Sequence, residues 1–108
     1  MSTLWIREYS SVPLVNTVTT GGGTAFGGSA AVPMEPGADQ SPVTFSTSNQ
    51  SAAFANGTTY IAMIADAAFH YVVGSNPTAT TNALKVPADT LVFIGVTAGQ
   101  KVAAIAAA

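Results

Sequence analysis

Short runs of β-branched and aromatic residues recur along the chain, and residues that favour turns separate them. Such runs predict β-strands, because branched and aromatic side chains pack well on a pleated surface. The predicted strands are residues 3–9, 14–20, 43–48, 51–55, 58–66, 68–74, 83–86, 90–96 and 101–106. About nine strands at this spacing predict one all-β domain over residues 1–108, an antiparallel β-sandwich or barrel of jelly-roll-like type.

The segments between the strands carry turn residues. Asn56-Gly57 predicts a type I′ hairpin turn, in which both central residues have positive φ, and residues 75–77, 87–89 and 98–100 also favour turns. Residues 58–73 could instead form a helix, because Ala and Met favour one. Asn-Gly and Gly-Ser-Asn-Pro bound this segment, however, and its β-branched and aromatic residues favour strand.

Residues 21–42 are rich in Gly and Pro and have neither a strand-like nor a helical period. They predict an extended arm or a long functional loop. Such a segment could lie across a neighbouring subunit with Phe26 as a hydrophobic anchor, or it could be a disordered loop.

Two predicted strands are apolar on both faces. In residues 59–65 and 91–96 the even-numbered and odd-numbered side chains point to opposite faces, and both sets are largely apolar. One face of an antiparallel sheet normally meets water, so we expect the second face to be covered by another sheet, by the arm or by another protein chain. The alternative is that small residues such as Ala and Thr are simply tolerated at the surface.

Charged residues are scarce, and this restricts the choice of partner. They make up 7% of the 108 residues, against about 25% in an ordinary domain, and the net charge is −2. Because charge repulsion helps to keep copies of a protein apart, this composition predicts a protein that associates with a partner. Arg7, Lys85 and Lys101 are too few to neutralise several phosphates, so we expect no nucleic-acid binding.

The sequence gives no indication of a membrane partner or of disulfides. The longest apolar runs, residues 91–96 and 102–108, are far shorter than the ~20 residues that cross a bilayer. The start "MSTLWIREY" does not resemble a signal peptide, so synthesis in the cytoplasm is expected. The chain has no Cys, which leaves packing or association to stabilise the fold.

Catalytic chemistry has little support in the sequence. His70 is the only histidine, and a triad with Ser75 and Asp66 is conceivable. No nucleophile-elbow sequence precedes any serine, so the favoured interpretation is a structural His70 on a strand face between Phe69 and Tyr71. We therefore predict no catalytic residues and no enzymatic activity.

Metal and cofactor sites are not predicted either. Glu35 and Asp39 could share a hard cation, but acidic residues in a loop usually face water. The glycines of residues 21–28 lack the Lys-Ser/Thr of a phosphate-binding loop and the spacing of a dinucleotide-binding turn.

Three stretches carry a resemblance to a known class of protein. They are the loop "GSNPTAT" at residues 74–80, the ending "GVTAGQKVAAIA" at residues 95–106 and the opening "STLWIREY" at residues 2–9. Together with the rest of residues 57–106 they resemble small proteins encoded among the virion genes of tailed bacteriophages and prophages. The resemblance implies a capsid decoration, or cement, protein with no catalytic residues to carry over.

The resulting expectation is a non-enzymatic phage virion protein made in the host cytoplasm. It would stabilise the capsid surface by binding the major capsid protein and copies of itself, as a homo-oligomer without a cofactor. The candidate interface residues are Trp5, Tyr9, Phe26, Phe45 and Ile94. The alternatives are a head-fibre base, a tail-associated module, or a carbohydrate-binding β-sandwich in which an exposed Trp5 or Tyr71 would stack on sugars.

Overall fold

The computed structural model describes residues 1–10, 14–21, 24–31 and 36–107 of the chain. Every regular element in these ranges is a β-strand, and every strand pair is antiparallel. The strands are β1 (Ser2–Tyr9), β2 (Leu14–Gly21), β3 (Thr24–Ala31), β4 (Ala38–Asp39), β5 (Val43–Phe45), β6 (Asn49–Gln50), β7 (Tyr60–Ala65), β8 (Phe69–Gly74), β9 (Leu84–Val86), β10 (Val92–Gly95) and β11 (Lys101–Ala106). Within the described ranges no helix is long and apolar enough to cross a bilayer.

The strands form a β-sandwich rather than a closed barrel. The first sheet has the order β10-β7-β1-β4, and β5 also pairs with β1. The second sheet has the order β6-β11-β8-β9. The all-β prediction is therefore confirmed, as is strand rather than helix for residues 58–73, which contain β7 and most of β8.

The core lies between the two sheets. Each sheet contributes alternate residues to it, as the period of a strand requires. The largest fully buried side chains are Leu4, Phe45, Ile61, Met63, Phe69 and Val102. The rings of Phe45 and Phe69 lie 5.9 Å apart across this core. Val92, Ile94 and Val96 pack against the same core, so of the two faces that the sequence predicts for this segment, the even-numbered residues form the inward one.

The pairing of β1 with β7 is the longest in the first sheet, from Leu4 opposite Ala65 to Tyr9 opposite Tyr60. Leu4 and Ile6 point inward and are buried, whereas Trp5 between them is exposed. Leu4 and Ile6 are thus the residues that β1 contributes to the core, and the strand faces it with an apolar set.

Glu8 is the exception on the inward face of β1. It is only 8% exposed, and its carboxylate accepts hydrogen bonds from the Ala55 backbone N–H, the Thr58 hydroxyl and the Gln40 amide at 2.8, 2.7 and 3.0 Å. A buried carboxylate is tolerated where donors surround it in this way. Glu8 therefore ties two connecting segments, around Gln40 and around residues 55–58, to the central strand.

Two local predictions are wrong. Residues 51–55 do not form a strand, because their backbone bonds to β11 and its preceding turn, such as Ser51 N to Val102 O at 2.8 Å, do not form a continuous ladder. The turn at Asn56-Gly57 is not type I′, since Gly57 has a φ of 87° but Asn56 does not have positive φ. It joins an irregular segment to β7 rather than two paired strands, so the twist match that favours type I′ is not needed.

Residues 21–42 contain two strands that the sequence did not predict. β3 pairs with β2 along its whole length, from Leu14 opposite Ala31 to Gly21 opposite Thr24, and β4 pairs with β1. Gly and Ala carry no hydrophobic period, which is why the pattern missed β3. We call β2 and β3 together the hairpin arm. It forms a two-stranded sheet of its own, and no strand of the described body pairs with it. The side chain of Phe26, one of the candidate anchors, lies outside the described residues.

The structure predicts that replacing two phenylalanines of the first sheet with Ala lowers the free energy of unfolding by very different amounts. Phe45 is 1% exposed and Phe93 is 50% exposed. Phe45→Ala should lower the free energy of unfolding by about 3–5 kcal/mol, because it leaves a cavity in the core. Phe93→Ala should cost clearly less, because half of that side chain already meets water. Equilibrium urea denaturation measures both, and equal losses would contradict the assignment of Phe45 to the core.

Candidate functional site

The outer face of the first sheet is the face turned away from the core. Residues directly opposite one another in an antiparallel pair share a face. On β1 and β7 the outward pairs are Trp5 with Ile64, Arg7 with Ala62 and Tyr9 with Tyr60. Phe93 on β10 lies opposite Ala62 and extends the same face to the edge of the sheet. This second face is therefore as apolar as the sequence predicts, apart from Arg7.

A groove of about 580 Å³ lies on this face. Its size is within the range of about 300–1,000 Å³ that is common for binding pockets. We call it the outer groove. Its lining includes Trp5, Arg7, Tyr9, Asp39, Gln40, Pro42, Ala62, Ile64, Leu91 and Phe93. One wall comes from β4 and the residues that follow it, and the other comes from β10 and the residue before it.

Aromatic side chains order the groove. The Tyr9 and Tyr60 rings stack at 5.0 Å with an interplanar angle of 22°, and Phe93 follows at 6.1 Å from Tyr60. Tyr9 and Tyr60 are buried, and with Ala62 they form a small apolar cluster separate from the core. Trp5, Leu91 and Phe93 are 46%, 54% and 50% exposed. Half-exposed apolar side chains thus surround a rigid aromatic base.

One ion pair lies in the groove wall. The Arg7 guanidinium donates from Nε to Asp39 Oδ1 at 2.6 Å and from Nη2 to Asp39 Oδ2 at 3.2 Å. This hydrogen bond and the positive charge of Arg7 hold the pKa of Asp39 below its ordinary range. Because the two charges cancel, the pair adds directional polar contacts to the groove without giving it a net charge.

The structure separates the five candidate interface residues. Trp5 and Tyr9 line the outer groove. Phe45 is a fully buried core residue and offers no surface to a partner in this fold, whereas Ile94 packs against the core but stays partly exposed. Phe26 belongs to the hairpin arm, where no side chain is described.

The site residues predicted from the sequence did not include Tyr60, Leu91, Phe93 or the Arg7–Asp39 ion pair. The alternation of side chains along each strand was visible in the sequence. The identity of the strands beside β1 was not, because contacting residues such as Arg7 and Asp39 are 32 residues apart in the chain. Trp5, Arg7 and Tyr9 are alternate residues of β1, and this spacing indicated in the sequence that the three share a face.

The residues considered for catalysis have separate partners. The Ala83 carbonyl accepts a hydrogen bond from His70 Nδ1 at 2.8 Å, so His70 fixes the segment before β9. Asp66 Oδ1 accepts from the Thr3 backbone N–H at 2.8 Å, and Ser75 is exposed in a turn. No hydrogen bond joins any two of His70, Asp66 and Ser75, all of which the structure describes.

Acidic residues and histidine do not cluster in the part of the chain that the structure describes, where no three of them could hold one metal ion. Asp39 bonds to Arg7, and Glu35 lies outside the described residues.

Comparison with known proteins finds no matching family model, no matching curated protein and no matching solved structure. The outer groove, with its aromatic base and neutral ion pair, is therefore the feature from which a function has to be inferred.

The ion pair gives a direct test of the groove geometry. Arg7→Gln should raise the pKa of Asp39 toward its ordinary range, because it removes both the charged hydrogen bond and the nearby positive charge. NMR titration of the Asp39 carboxyl carbon measures this change. Lys85→Gln on β9 of the second sheet is the control and should leave the titration of Asp39 unchanged. An unaltered Asp39 in the Arg7→Gln variant would show that the pair does not form in solution.

Proposed function

We propose that the chain is a non-enzymatic capsid decoration protein of a tailed-bacteriophage virion, and that it binds the major capsid protein through the outer groove. The observation that carries this proposal is the uncovered apolar face of the first sheet. Trp5, Leu91 and Phe93 are each about half exposed there, around the buried Tyr9–Tyr60 stack. An apolar face of this kind, rimmed by polar groups, is typical of a protein-binding surface.

The chemistry of the groove fits a protein partner. Tyr, Trp and Arg are the residues that most often dominate the binding energy of protein interfaces, and Trp5, Tyr9 and Arg7 come together here. Two of the three have a fixed neighbour, since Tyr9 stacks on Tyr60 and Arg7 bonds to Asp39. Side chains that are already ordered lose less conformational entropy when a partner binds.

The shortage of charge supports assembly on a large particle. Because 7% of the residues are charged and the groove pair is neutral, association would depend on apolar burial, at roughly 25 cal/mol per Å² removed from water. Contacts repeated over many copies on one shell can add up even when each is weak. We expect binding to depend little on salt concentration, since long-range attraction contributes little to it.

The loop at residues 74–80, one of the three stretches that carry the resemblance to phage proteins, has a structural role in the second sheet. Gln50 Nε2 donates to the Asn76 side-chain oxygen and to the Pro77 carbonyl at 2.9 and 2.7 Å, and the Ala79 N–H donates to the Ser48 hydroxyl at 2.9 Å. Ala79 is only 2% exposed. A resemblance in these residues supports a shared fold. The resemblance in residues 2–9 falls on β1, which contributes Trp5, Arg7 and Tyr9 to the outer groove, the proposed docking face on the capsid surface.

A carbohydrate-binding module is the second candidate, because Trp5 lies beside hydrogen-bonding groups in the same groove. A ring that is 46% exposed offers a face on which a sugar can stack. Gln40 also lines the groove, and its buried Oε1 has no hydrogen-bond partner among the described residues. Tyr71, the other sugar-stacking candidate, packs against the core and is less suited to this role.

Capsid binding tests the first candidate. Trp5→Ala should weaken co-sedimentation with undecorated capsids by about tenfold or more, because truncating a central aromatic anchor commonly costs over 1 kcal/mol. Leu84→Ala is the matched control: Leu84 is 67% exposed on the second sheet, so this change should leave binding unaltered. Circular dichroism should show both variants folded.

The same variants separate the two candidates. Wild-type affinity of Trp5→Ala for capsids would contradict docking through the outer groove. Binding of the wild-type protein to a glycan array, lost in Trp5→Ala and accompanied by no capsid binding, would favour the carbohydrate-binding module.

A further inference from the structure

The β10 edge of the first sheet is open. β10 pairs with β7 and with no other described strand. Val96 N donates to Thr59 O at 2.9 Å, and the hydrogen bonds of an antiparallel ladder alternate along each strand. The backbone groups of Val92, Ile94 and Val96 therefore face β7, whereas those of Phe93 and Gly95 face outward. An extended strand is the ligand that such a row of outward N–H and C=O groups fits.

This edge lacks the features that normally keep sheet edges apart. Natural edge strands carry charges, prolines or bulges that prevent another strand from adding to them. β9, at an edge of the second sheet, contains Lys85 and is followed by Pro87, and β4 contains Asp39. Residues 91–96 contain neither a charge nor a proline, and they expose Leu91 and Phe93.

The hairpin arm is a two-stranded sheet to which no third described strand is added. Its two strands of eight residues pair with each other and with no strand of the described body. An isolated two-stranded hairpin is marginally stable in water, and a third strand or a packed face is what stabilises one. No charged residue lies between Glu8 and Glu35, so the arm brings no charge to an apolar edge.

We propose that the hairpin arm of one copy adds as a strand pair to the β10 edge of a second copy. Within one copy the arm leaves the sheet after β1 and returns at β4, on the opposite side of β7 from β10. An eight-residue strand spans ~26 Å, about twice the length of the four-residue β10, so it can cover the whole edge. The contact joins different surfaces of the two copies, and it therefore produces a ring or a chain of copies.

The proposal concerns the purified protein alone and does not rest on binding to a capsid. Light scattering at increasing concentration should show a mass above the 10.8 kDa of one chain. Gly95→Pro removes one outward N–H and should abolish the larger species, because proline is tolerated at an edge but cannot donate. Gly95→Ala keeps the N–H and should assemble as the wild type does, since an added Cβ meets only the Thr59 carbonyl oxygen, at 3.9 Å.

Phe93→Lys is the second edge variant, and it places a charge on the edge without altering the backbone. It should also be monomeric, with a β-type circular dichroism spectrum. A wild type that stays monomeric at millimolar concentration would overturn the proposal. So would a Gly95→Pro and a Phe93→Lys variant that both fold and still assemble.

Cross-linking between introduced cysteines identifies the partner surface. Because the chain has no Cys of its own, only the introduced thiols react. One pool of protein carries Thr17→Cys in the arm and a second carries Leu91→Cys beside the edge. A bis-maleimide should join the two pools after mixing, whereas Leu84→Cys on the second sheet should not react with the arm pool. Equal yields at Leu84 and Leu91 would overturn the proposal. Cross-links formed only within one chain of a Thr17→Cys, Leu91→Cys double variant would overturn it as well.

Discussion

The pairing of β1 with β7 is the constraint on which both the core and the outer groove depend. Leu4 and Ile6 belong to the same buried core as Phe45 and Phe69 because they are inward in this register, and Trp5 and Tyr9 are outward for the same reason. The period of a strand is two, so a slip of one residue would exchange the two faces completely. Because both faces of the β1–β7 pair carry apolar residues, the hydrophobic pattern alone hardly distinguishes these two registers.

The carboxylate of Glu8 distinguishes the observed register of β1 from one that is slipped by a residue. In the observed register its carboxylate is buried and accepts from Ala55, Thr58 and Gln40. A slip by one residue would move Glu8 to the outer face and leave those donors without their acceptor, at a cost of about 1–3 kcal/mol for each buried group left unpaired. The same contact holds Gln40, which lines the outer groove. One buried carboxylate therefore fixes the register of the central strand and also positions part of the groove wall.

Sequence patterns predicted most of the strands whose side chains meet the core, and they predicted that even- and odd-numbered residues of β10 point to opposite faces, but not which set points inward. They did so because β-branched and aromatic residues with a period of two indicate a pleated, packed surface whatever lies beside it. They could not predict that Phe45 is core while Phe93 is surface, since each is an apolar residue on a strand and only the non-local packing distinguishes them. β3 was missed for the opposite reason: its partner β2 gives it a backbone ladder, and its Gly-rich and Ala-rich sequence carries no pattern.

A single sheet can offer two kinds of association that do not compete. Its face offers side chains, here the Trp5, Tyr9 and Phe93 region, and a partner bound there is selected by shape and aromatic contact. Its edge offers backbone groups, here those of Phe93 and Gly95, and a partner bound there must be an extended strand. The proposed capsid contact uses the face, and the proposed arm exchange uses the edge. Phe93 belongs to both, so a strand added at β10 would extend the outer face of the sheet and enlarge the surface that meets the capsid. Self-association would then strengthen capsid binding even if it changed no contact in the groove itself.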